Sequence, residues 1–96
     1  MLRVAAVHVL GGHRVLLDLT DGTRLERDIE PLLQGDVFAE IRSSEDAFAA
    51  VRVEGGTLVW PGGADLCPDM LIWGGMPAAS GARPPQQLEL PRRVAA

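Results

Sequence analysis

The chain has 96 residues, 47% of them apolar, with one cysteine and a formal net charge of -4. That length supports one hydrophobic core and excludes two independent domains; no apolar run approaches the roughly 18 residues of a membrane-spanning helix, and a lone thiol excludes an intrachain disulfide. The charge is uneven, with six arginines against twelve carboxylates in residues 1–73 and three against one in residues 74–96, which argues against nucleic-acid binding by the N-terminal part itself.

Leu2 to Leu10 and Arg14 to Thr20 are Val- and Leu-rich runs split by Gly11-Gly12-His13, the pattern of a β-hairpin. The first run has a leader-like start, but it enters two glycines without a small-residue cleavage site and reads as a strand. In the second run a period of two sends Val15, Leu17 and Leu19 to the core and Arg14, Leu16, Asp18 and Thr20 to the other face. Asp21-Gly22 supplies the positive φ values of a tight turn, and Thr23 to Ile29 returns with Leu25 and Ile29 inward and Arg24, Glu26 and Asp28 outward. A three-stranded antiparallel meander is predicted.

Glu30-Pro31-Leu32-Leu33 leaves the sheet in a short helical turn, because proline suits a first helical position and would break a ladder. Val37, Phe38 and Ile41 fall at helical spacing, and Ser43 followed by Asp46 is a capping pattern for a second short helix with Ala47, Phe48 and Val51 inward. Arg52-Val53-Glu54 starts a strand, Gly55-Gly56 turns, and Thr57 to Trp60 is a further strand expected to join the meander. The fold class is α+β, a small antiparallel sheet with short helices, and the expected core comprises Val15, Leu17, Leu19, Leu25, Ile29, Phe38, Phe48, Val59 and Trp60.

Special residues are densest from Gly55 to Met70. Gly55 and Gly56 turn into Thr57 to Trp60, Pro61-Gly62-Gly63 turns again, and Pro68 suits the first turn of a helix entered from Asp65 or Cys67. This string, GTLVWPGGADLCPDML, resembles the signature of the bacterial domain-of-unknown-function (DUF) 2442 family, in which a Gly-Thr-apolar-apolar-Trp-Pro strand precedes a turn and an Asp-Leu-Cys-Pro-Asp segment. Gly55, Thr57, Trp60, Pro61, Asp65, Cys67, Pro68 and Asp69 carry the likeness, and Thr20-Asp21-Gly22, Asp28 to Leu33, Phe38 and Phe48 follow in the family's order. The chain departs at Gly62, where asparagine is usual, and at Met70, where threonine is frequent. The likeness covers roughly residues 1–73, taken as the domain; residues 74–96, punctuated by Gly and Pro, are expected to form a flexible tail.

Asp65, Cys67 and Asp69 with His8 or His13 are conceivable metal ligands, but a structural zinc site wants four Cys or His ligands. The plainer expectation is that Asp65 or Asp69 caps a helix start and that Cys67 is a small buried thiol, with no metal, cofactor or catalytic residue. Leu71, Ile72, Trp73 and Met76 follow the signature and can either cover the chain's own core or form a partner surface, including a homodimer interface. A non-enzymatic protein-interaction module in a reducing cytoplasm is therefore expected, its acidic surface suited to a basic protein. The resemblance implies the neutralising or regulatory member of a toxin-antitoxin-like pair. The alternative is a small enzyme or ligand- or metal-binding protein using Asp65, Cys67 and Asp69; nucleic-acid binding would rest on Arg83, Arg92 and Arg93 alone.

Overall fold

Alternating apolar residues and two turns build the meander. The computed structural model describes residues 2–76 and 82–91. Strands β1 (Val4–Gly11), β2 (Arg14–Leu19) and β3 (Arg24–Asp28) form an antiparallel sheet in the order β1-β2-β3. Leu17 lies opposite both Val7 and Leu25, and Val15 opposite both Val9 and Arg27, so one face collects the apolar side chains. The other face is polar, with Arg14 paired to Glu26, and Asp18 held between Arg24 at 2.8 Å and His8 at 3.2 Å.

The β2–β3 turn differs in detail from the sequence expectation. Only Gly22 takes a positive φ, 88°, and Asp21 does not. Asp21 instead uses its carboxylate, which accepts from the Thr23 amide at 3.0 Å, while the Leu19 carbonyl accepts from the Gly22 amide at 3.0 Å. A short acidic side chain thus does by hydrogen bonding what the backbone was expected to do by conformation.

Pro31 starts a single 3-10 turn at Glu30–Leu32, and a second, Asp36–Phe38, leads into α1 (Ala39–Ser43). Helix α2 (Glu45–Ala49) is capped by Ser44, not Ser43: the Ser44 hydroxyl accepts from the Ala47 amide at 3.2 Å. Ser43 sits in the last turn of α1 and bonds back to the Ala39 carbonyl at 3.0 Å. Both serines present a short hydroxyl near the junction, but only Ser44 has the extended backbone of a cap.

Strands β4 (Arg52–Glu54) and β5 (Thr57–Val59) pair with each other and form a second sheet; β5 does not join the meander as expected. Besides the shared core, the Val4 amide links the sheets by donating to the Gly56 carbonyl at 2.9 Å, beside the first residues of β1. Gly56 has φ of 81° and a Cβ there would lie 2.9 Å from the Arg3 side chain, so this crossing needs glycine. The hairpin therefore ends against β1 at a turn, which offers one carbonyl where a strand would offer a row.

One core of buried residues runs from Val4 to Leu90. Every expected core residue is in it except Val59, which is half-buried while Leu58 is fully buried. Alternation explains the exchange: with Trp60 inward, its neighbour Val59 faces away and Leu58 faces in. The expected tail also changes character. Leu90 is 6% exposed and Leu88 packs on the core, so residues 82–91 lie against the domain rather than apart from it; residues 77–81 and 92–96 of that segment lie outside the described residues.

Candidate functional site

The signature from Gly55 to Met70 closes on itself. The Thr57 hydroxyl donates to the Leu66 carbonyl, the Trp60 amide to Ala64 at 2.8 Å and the Leu66 amide to Leu58 at 3.1 Å, with a bridge between Val59 and Asp65. Pro61-Gly62-Gly63 makes the reversal, and the Gly63 amide donates to the Trp60 carbonyl at 3.2 Å. Trp60 is the keystone of this unit. Its ring meets Phe38 edge-on at 6.0 Å and Phe48 at 6.1 Å, and its Nε1 donates to the Phe48 carbonyl at 3.0 Å, tying the loop to α2. His13 packs edge-on against Phe48 at 5.1 Å, and its Nε2 is bonded to the Arg42 carbonyl at 3.0 Å.

The acidic and thiol groups of the signature do not converge. Helix α3 (Pro68–Trp73) has Pro68 in its first turn as expected, but its cap is Cys67 and no side chain bonds the free amides, which corrects the expectation that Asp65 or Asp69 caps it. Asp65 is exposed, and Asp69, in the first turn of α3, lies 3.8 Å from the Arg3 guanidinium. Cys67 is exposed, not buried: its extended backbone turns the thiol to a pocket of about 300 Å³ lined by Leu32, Leu66 and Met70. Among the described residues no group of three or more His, Cys, Asp or Glu side chains could hold a metal ion.

Leu71 and Ile72, expected as a partner surface, are fully buried in the chain's own core. Their position in the middle of a one-and-a-half-turn helix, between the proline at its start and the left-handed Gly74, points them inward. Trp73 is half-buried and packs on the core, and Met76 alone of the four is open, at 90% exposure.

Arg27 is the residue the sequence reading passed over. It is 1% exposed, and all five of its N–H donors are used: Nε on Leu71 O at 2.9 Å, Nη1 on Glu26 O at 3.0 Å and Gln86 O at 3.1 Å, Nη2 on Ile72 O at 3.0 Å and Pro85 O at 2.7 Å. Burial pushes its pKa down from the ordinary arginine value, and the carbonyls at the C-terminal end of α3 supply compensating negative potential. A signal for it was present in the sequence, since Leu25, Arg27 and Ile29 share one face of a strand at a period of two.

The meander's two edges are finished differently. On β3 the outward positions are the charged Arg24, Glu26 and Asp28, and Arg27 donates both to the Glu26 carbonyl and to the carbonyls of Pro85 and Gln86. On β1 the hairpin turn covers the start, while Val9 and Leu10 are 41% and 50% exposed. Val9 and Gly11 line a hollow of about 290 Å³ with Glu45, Asp46, Phe48 and Ala49. Glu45 and Asp46 are exposed, with no cation within ion-pair distance among the described residues.

Residues 4–76 match the profile of the family described as "Protein of unknown function (DUF2442)". The chain belongs to the DUF2442 family. No curated protein and no solved structure gives a significant match. The matched span of this DUF2442 chain holds both sheets and all three helices but stops before the 82–91 segment that Arg27 grips. Among the described residues no helix is long and apolar enough to cross a membrane.

Proposed function

We propose that this DUF2442 protein is a non-enzymatic protein-interaction module, the neutralising or regulatory member of a two-protein, toxin-antitoxin-like pair acting in a bacterial cytoplasm. The observation that carries the reading is the stretch of β1 with exposed Val9 and Leu10, where Val9 adjoins Glu45 and Asp46, two acids with no cation partner among the described residues. Apolar contact gives such a surface its affinity, and the acids choose and steer a basic partner. The tagged chain recovered from its native host should carry one stoichiometric basic protein, identified by mass spectrometry and sized by light scattering. Recovery of none, under conditions where a known pair survives, overturns the reading.

A second reading rests on Cys67, whose exposed thiol opens on the apolar pocket of Leu32, Leu66 and Met70. There the chain would bind a small apolar ligand, with Asp65 and Asp69 flanking. Cys67→Ser combined with Asp65→Asn and Asp69→Asn separates the two: binding of an apolar fluorescent probe by the wild type and its loss in the variant favour this pocket, and a host protein partner retained by the variant favours β1.

A further inference from the structure

Antiparallel pairing alternates, so the bonds of β2 decide which groups of β1 are free. The Leu19 amide donates to Thr23 O at 2.8 Å and the Ile29 amide to His13 O at 3.0 Å, which turns the odd-numbered positions of β2 toward β3. The even-numbered positions Leu16 and Asp18 therefore face β1, where they pair with His8 and Ala6. It follows that Val7 and Val9 direct their N–H and C=O groups away from the sheet.

Edge strands are usually blunted by charge, proline or a covering segment. β3 has charged residues and the Arg27 clasp, and the start of β1 has the Gly56 carbonyl on the Val4 amide. From Val7 to Gly11 no charged residue, proline or hydrogen-bonded segment blunts the edge among the described residues; a register shift between Val9 and Gly11 bends its end, so the outward groups open to pairing are those of Val7 and Val9.

We infer that the Val7 to Gly11 edge accepts an extended segment of a partner protein as a fourth strand, with a lysine or arginine of that segment laid across Phe48 and Ala49 to reach Glu45 and Asp46. This rests on the interaction-module reading and gives it a site. Backbone pairing supplies affinity in such additions, and side-chain pockets supply selectivity. The hollow beside Val9 and Gly11 has an apolar floor at Phe48 and an acidic rim, which suits a side chain with an apolar stem and a cationic head. A second copy of the chain fits less well. Its β1 carries no arginine between Val4 and Gly11, His8 lies on the face opposite Val7 and Val9, and Arg3 is engaged with Leu2 O at 3.0 Å and Asp69 at 3.8 Å.

The test uses the full chain and a dye-labelled peptide of about seven residues, the length of a short strand, with alternating valine and threonine and arginine at both ends. A peptide with glutamate for arginine is the control. The arginine peptide should bind and shift the Val7 and Val9 amide resonances, and the control should bind at least about tenfold more weakly. Val9→Pro removes an outward N–H without touching the β2 ladder and should abolish binding, since proline is tolerated on that side of an edge strand. Glu45→Lys with Asp46→Lys should invert the preference between peptides; if Val9→Pro does not fold, this exposed pair decides alone. No binding up to about 1 mM peptide overturns the inference. So does binding indifferent to the variants, or a wild-type dimer that Val9→Pro dissolves. A stoichiometric partner from the host retained by all these variants removes the edge site and leaves the interaction reading standing. Peptide binding as described, with no host partner, does the reverse.

Discussion

Arg27 Nη2 donates to the Pro85 carbonyl at 2.7 Å, so the last strand of the meander holds a segment 58 residues further along the chain. The same guanidinium bonds Leu71 and Ile72 at the end of α3, which makes it a three-way joint between strand, helix and C-terminal segment. Arg27→Met keeps the stem but orphans five buried or half-buried carbonyls, and should cost about 3 kcal/mol in urea denaturation. Amide exchange from Gln86 to Leu90 should accelerate with it. Arg27→Lys, with three donors for five acceptors, should fall between; wild-type stability in Arg27→Met would refute the joint.

Trp60 joins the signature loop to α2 through the Phe48 carbonyl. Trp60→Phe loses that bond and part of the ring, and should destabilise by about 1–3 kcal/mol, the cost of leaving a buried acceptor unpaired. Trp73→Phe should cost clearly less, because Trp73 is only half-buried. Paired urea curves for the two variants check the order.

Adjacent serines give a sharper comparison. Ser44→Ala removes the cap of α2 and should cost about 1 kcal/mol, whereas Ser43→Ala removes only a bond back into its own helix and should stay within about 0.5 kcal/mol of wild type. Equal costs would mean that the cap is not at Ser44.

The Asp21 carboxyl is held below the ordinary carboxylate range, first by the Thr23 amide, then by the Thr23 hydroxyl, with Arg83 adding a smaller pull. Since the folded value is depressed, its contribution is present above the unfolded value of about 3.9 and is lost as pH falls through the folded value. A carboxyl-carbon NMR titration should show Asp21 ionising below a model peptide. Asp21→Asn should flatten the acid limb of the stability profile, and an unshifted titration would count against the turn bond.

Cys67 should react with a thiol reagent in the native protein without denaturant, because it is exposed. Cys67→Ser should change stability by less than about 0.5 kcal/mol, as exposed substitutions do. A thiol that reacts only on unfolding would restore the buried position expected from sequence.

Much of the fold was legible before any coordinates. Val15, Leu17, Leu19, Leu25 and Ile29 declare the meander by alternation, Pro31 and Pro68 mark helical starts, and Gly22 and Gly56 mark turns. These signals are local: side-chain period, a fixed proline φ and the freedom of glycine act within a few residues, so a sequence determines them directly. Tertiary structure alone decided that β5 pairs with β4, that Leu58 displaces Val59 from the core, and that Leu71 and Ile72 turn inward while Cys67 turns out. It also decided that, among the described residues, nothing hydrogen-bonds the outward side of Val7 and Val9, and that Arg27 finds acceptors 44 to 59 residues away. A buried guanidinium is tolerable only when distant carbonyls meet it, and an edge is open only when no other segment reaches it; both depend on how separate elements come together in space.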